Sequence, residues 1–149
     1  MTGFDHRHSR TEAGFTLIEV LFASVLLILL GGGILYGYFQ AARTTDWQAH
    51  SLAAESMAME RLEQTRAASW DTKATPPVDQ LVNANFPVLV QALNLPVVGT
   101  NYADATDYTA ISTVSVSPPL RMIQVDCVWQ FTDGKIYTNT VVTYRSPDQ

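Results

Sequence analysis

Apolar and polar positions are unevenly spread along the chain. Residues 1–14, MTGFDHRHSRTEAG, are polar, and an apolar run opens abruptly at Phe15 and lasts to Phe39. The twenty residues from Val20 to Phe39 carry no charge. At about 1.5 Å of rise each they reach roughly 30 Å, the hydrocarbon thickness of a bilayer. The pattern therefore predicts one transmembrane helix over 15–39. A secretory signal would have a shorter apolar core with a small-x-small cleavage site after it. Here Gln40-Ala-Ala-Arg-Thr-Thr-Asp-Trp continues a helical pattern, so the run is expected to stay in the chain. Arg7 and Arg10 precede it, and no lysine or arginine follows until Arg43, which favours a cytoplasmic N-terminus.

From Gln40 to about Ser69 there is no proline or glycine. Leu52, Met59 and Leu62 recur at helical spacing, with Glu55, Glu60, Glu63 and Arg66 marking a wetter face. We read one helix from about Thr16 to about Trp70. Its 40–70 portion is an amphipathic continuation that lays an apolar stripe on a β-rich domain, 71–149. Thr75-Pro76-Pro77 ends or follows it. Residues 71–107 look irregular, with Phe86–Val90 and Leu95–Val98 as short strands or a packed loop. From Tyr108 the residues are β-branched, and Pro118-Pro119 interrupts them. Between Arg121 and Phe131 the positions Ile123, Val125, Cys127, Trp129 and Phe131 share one face. Thr132-Asp-Gly-Lys signals a hairpin, and a strand returns from Lys135 to Arg145. The expected fold is α+β: a long N-terminal helix on an antiparallel sheet of three or four strands.

Composition narrows the chemistry. Net charge is −5 and only 15% of residues are charged, so no basic patch is available for nucleic acid. The single cysteine, Cys127, reads as a small buried thiol within a strand. Asp104 and Asp107 lack the ligand spacing of a calcium loop and read as a solvated loop. His6 and His8 lie before the apolar run, and His50 stands alone on the helix. No nucleophile elbow or phosphate-binding loop occurs. We expect no catalytic residue, no cofactor and no metal. Tyr36, Tyr38 and Trp47 suit an interfacial belt, or Trp47 packs under the domain. Gly31-Gly32-Gly33 is either a soft point, at about 1 kcal/mol per glycine, or a close-packing surface with Gly37. Glu19 is the odd residue: a carboxylate inside an apolar helix, either functional with a partner to be named or simply reaching water.

Gly14-Phe15-Thr16-Leu17-Ile18-Glu19-Val20 resembles the type IV prepilin cleavage and methylation motif: glycine, phenylalanine, three mostly apolar positions, and a glutamate fifth after the cut. The resemblance covers about residues 10–45. It implies a pilin-like fold and a leader, 1–14, removed after Gly14 by prepilin peptidase, which methylates the new amine of Phe15. It implies that Glu19 pairs with the N-terminal amine of a neighbouring subunit. The partners implied are prepilin peptidase, other pilin or pseudopilin subunits, an inner-membrane assembly platform and lipid. The place implied is the bacterial inner membrane, with the C-terminal domain periplasmic, and then a pilus or pseudopilus. Related filaments extend part of this helix when packed, which the glycine triplet would allow. Ile18-Glu-Val-Leu-Phe-Ala, residues 54–63 and Val125-Asp-Cys-Val-Trp129 are similar to minor pseudopilins and PilV-like pilins. The function expected is that of a minor subunit in a type IV pilus, type II secretion or related filament. The alternative is a singly anchored periplasmic binding or sensor module.

Overall fold

A computed structural model of the protein describes residues 14–98 and 101–148. The expected leader therefore lies outside the described residues, except for Gly14. The chain divides into two compact units, Met1–Arg43 and Thr44–Gln149. A single helix, α1 (Leu17–Arg66), contributes to both.

In the first unit α1 is charge-free from Val20 to Ala42, and its large apolar residues from Leu17 to Phe39 are exposed. It is long and apolar enough to cross a membrane. The helix runs through Gly31–Gly33 without a break.

The second unit packs the last turns of α1 on a sheet of order β3-β4-β5-β6, antiparallel throughout: β3 (Leu89–Val98), β4 (Asn101–Val116), β5 (Pro119–Gln130) and β6 (Ile136–Arg145). A two-residue ribbon, β1 (Trp70–Asp71) with β2 (Val78–Asp79), and a 3-10 turn at Asn83–Asn85 link helix to sheet. The α+β class is as expected. Of the segment read as irregular, residues 72–88 are largely so, but beyond them the suggested short strands are one longer strand, β3, and the first seven residues of β4 follow it. Proline lacks the ladder donor, so a strand interior containing Pro96 is admissible only at an edge or bulge. β3 is an edge strand, and its register slips on both sides of Pro96.

The stripe by which α1 meets the sheet also differs from expectation. The buried positions are His50, Ala54, Ala58, Leu62 and Thr65, nearly one per turn. Leu52 and Met59 are exposed, at 69% and 46%; of the expected stripe only Leu62 is in the core. Alanines carry the contact because they let the helix backbone approach the inward residues Ala105, Ile123, Val125, Cys127 and Trp129. Trp129 organises that core. It stacks on Tyr137 at 5.1 Å and on His50 at 5.9 Å, and it meets Phe131 edge-on. Its Nε1–H donates to Asn139 Oδ1 (2.8 Å), and Asn139 Nδ2 donates to Ser51 on α1 (3.1 Å to Oγ). A buried donor is thereby satisfied, and the sheet is tied to the helix. Trp47 packs on Trp129 and Tyr137, so it belongs under the domain. Tyr36 and Tyr38 are exposed on the helix.

The expected hairpin forms at Phe131–Lys135: Gly134 takes φ +80°, where a side chain would be strained, and its N–H bonds Phe131 O. At the other end of the sheet, Arg145 donates to Thr65 O in the last turn of α1, to Ala68 O just beyond the helix, and to Asp148. It thus ties the end of β6 to the end of the helix.

Arg121 clasps Asp79 through two bonds of 2.6 and 2.7 Å, donates to Leu81 O, and lies 4.4 Å over the Trp70 ring. The bond from Arg121 holds the Asp79 carboxyl below its usual value of 3.8. A depressed folded value means the clasp contributes stability above the unfolded value and loses it as pH falls through the folded one. Thermal unfolding between pH 5 and pH 2 is therefore expected to lose less stability in Asp79→Asn than in the parent chain. The difference should be modest, because the carboxylate is 40% exposed. Equal losses would mean the clasp does not outlast an ordinary carboxylate.

Candidate processing and assembly site

The residues singled out at the start of the apolar run lie together. Gly14, Phe15 and Thr16 precede α1, and all are exposed. Thr16 starts the helix: Glu19 N–H bonds both Thr16 O (3.0 Å) and Thr16 Oγ1 (3.3 Å). This is one half of a capping box, Thr-x-x-Glu. Sequence reasoning missed it, although Thr16-Leu-Ile-Glu19 carries the signal in full. The other half is not made, since the Glu19 carboxylate has no bond to the Thr16 N–H or to any other described group. It sits in the first turn, where the helix dipole favours a negative charge. Phe15, Glu19, Val20, Ala23, Ser24 and Leu27 line one shallow groove along the helix. An aromatic side chain and an unpaired carboxylate thus share one face, followed by twenty residues without charge.

Gly14 is not required by the fold. A Cβ built there meets no heavy atom within 4 Å, and its φ is outside the left-handed region. The same holds for Gly31, Gly32, Gly33 and Gly37, where a Cβ again meets nothing within 4 Å. Each costs about 1 kcal/mol against alanine, and among the described residues no contact offsets it.

The β-rich unit holds the other candidates. Cys127 is buried, as expected. Burial pushes its thiol up to about 12, and the adjacent charge of Asp107 adds to the rise. The thiol is thus held protonated and shielded, and thiolate is the reactive form. In the folded chain Cys127 is expected to resist iodoacetamide at pH 8 and to be alkylated fully in guanidinium; rapid labelling without denaturant would contradict this burial. Asp104 and Asp107 are not in a loop. Both are on β4, three residues apart and so on opposite faces. Asp104 is exposed, whereas Asp107 is 1% exposed with neither oxygen hydrogen-bonded. The solvated-loop reading fails for Asp107, because the period of two places it with Ala103 and Ala105 facing the core. Asp107 and Cys127 are direct partners across the β4–β5 ladder, so the thiol lies beside the carboxylate. His50 is buried against Trp129 and Phe131, with Nδ1 2.8 Å from Asp46 O. Among the described residues no group of three or more His, Cys, Asp or Glu side chains could hold a metal. Comparison with family profiles, with characterised proteins and with solved structures returns no match for this chain.

Proposed function

We propose that this chain is a structural subunit of a pilus-type filament. It is made as a precursor, cut between Gly14 and Phe15 by a prepilin peptidase, methylated on the new amine, and assembled through α1. The Gly14–Glu19 junction carries the reading: a glycine the described fold does not need, an exposed aromatic residue, and an unpaired carboxylate on the same helix face, at the head of a charge-free stretch of helix. A carboxylate in lipid is costly, at about 3 kcal/mol near the bilayer centre by insertion scales. The cut supplies the compensation by making an ammonium group at Phe15. On one chain, Glu19 follows that amine by only one helical turn. Between chains offset along the filament axis, the amine of one subunit meets Glu19 of the next, and the pairing fixes their register. The β-rich unit is then the periplasmic head, and the span lies in the inner membrane until assembly. Minor pilin or pseudopilin of a pilus, type II secretion or related machine is the finer assignment we propose.

Expression in cells that carry a prepilin peptidase and a pilus or pseudopilus machine tests this. The processed chain is expected in the sheared-filament fraction. A chain found only uncut in membranes, in cells that process other prepilins, would contradict it and favour a plain anchor.

A further inference from the structure

Asp107 is the one buried carboxylate in the core of the β-rich unit, and neither of its oxygens has a hydrogen-bond partner among the described residues. Its ladder neighbours are Cys127 on β5 and Leu89 on β3, neither a cation. A carboxylate so placed is strongly disfavoured unless paired. Helix α1 brings one cation to the next position on the same face: Arg61 Nε is 3.3 Å from Thr109 Oγ1. Thr109 is two residues along β4 from Asp107, so the two side chains leave the sheet about 6.6 Å apart. Arg61 is otherwise engaged outward. It donates to Pro87 O (2.7 Å) and Gln64 Oε1 (3.0 Å), and it lies 5.5 Å over the Phe86 ring.

We propose that Arg61 is a two-position latch. In the outward position it holds the segment around Phe86 and Pro87, just after the Asn83–Asn85 turn, against α1. In the inward position its guanidinium pairs with Asp107 and that segment is released. The carboxylate favours the inward position, and the Pro87 carbonyl and the Phe86 ring favour the outward one, so two discrete arrangements compete for a single cation. The segment leads from helix to edge strand β3. The latch therefore sets how firmly that edge is held to the helix, independently of processing at Gly14.

Amide hydrogen exchange on the full chain in detergent micelles tests it. The probes are the Asn85 and Phe86 amides, which bond Val82 O and Asn83 O. Asp107→Asn removes the inward pull, so exchange at both amides is expected to slow about fivefold, the low end of coupling between two sites. Arg61→Met is expected to speed it, and Asp107→Asn added to Arg61→Met is expected to change nothing further. A merely structural Asp107 would give the opposite sign, because a disturbed core loosens the segment. Unchanged or faster exchange in Asp107→Asn, or the same slowing without Arg61, would overturn the latch. Should the asparagine chain fail to fold, Asp107→Thr carries the same expectations. Failure of both would also overturn it, since the carboxylate would then be a required core group.

Discussion

With Gly14 replaced by leucine, the chain is expected to accumulate uncut, heavier than the mature subunit by its leader. The result would be informative because the fold is indifferent to that position. Gly14 is exposed, lies before the first turn of α1, and has no atom near where a Cβ would stand. Insertion of the span and folding of the β-rich unit should be untouched; the near-ultraviolet circular dichroism of the Trp47–Trp129–Tyr137 cluster provides the control. What leucine changes is access. A membrane protease must hold the scissile segment extended and close to its own backbone, and glycine allows that approach while resisting continuation of the helix. Cleavage of Gly14→Leu at the rate of the parent chain would remove the junction from the account.

Glu19→Ala is expected to separate processing from assembly. The chain should still be cut, because the carboxylate lies beyond the scissile bond, and it should still insert, because loss of a charge eases entry into lipid. It should fail to join filaments. Breaking a buried ion pair from one side costs about 3–5 kcal/mol, so incorporation should fall about a hundredfold or more at fixed expression. Alanine keeps helix propensity. It also leaves the Thr16 side of the cap in place, since Thr16 Oγ1 accepts from the backbone N–H of residue 19. Glu19→Gln, which keeps shape and loses charge, should fail likewise. Normal incorporation of either chain would mean that the carboxylate serves only the helix terminus, where its dipole contribution is about 0.3–1 kcal/mol.

Much of this architecture is legible in the residues. The long apolar helix, its continuation without a break, the Asp133-Gly134 turn and the inward row from Ile123 to Phe131 follow from period and turn chemistry. Cys127 falls in that row and is buried with it. Three features were hidden, each for a physical reason. Strand β3 was legible only as two short pieces, strand or packed loop, because it contains Pro96, and only its place at the sheet edge makes that proline tolerable in one strand. The helix–sheet contact runs through Ala54 and Ala58, which barely register in an apolar pattern, while Leu52 and Met59, which register strongly, face outward. Asp107 was obscured because Asp-Ala-Thr-Asp looks like solvated loop. Its phase with Ala103 and Ala105 becomes informative once the segment is known to be a strand. At the junction itself the order is reversed: Gly14, Phe15 and Glu19 stand out in the sequence by what surrounds them. The structure adds that nothing among the described residues demands that glycine or pairs that carboxylate.

The most direct measurement is the intact mass and N-terminal sequence of the chain recovered from membranes of cells that contain a prepilin peptidase. The expected product begins at Phe15, lacks residues 1–14, and carries one added methyl group on its α-amine. A product that retains residues 1–14, or one cut after the apolar run and so without its span, would contradict the account.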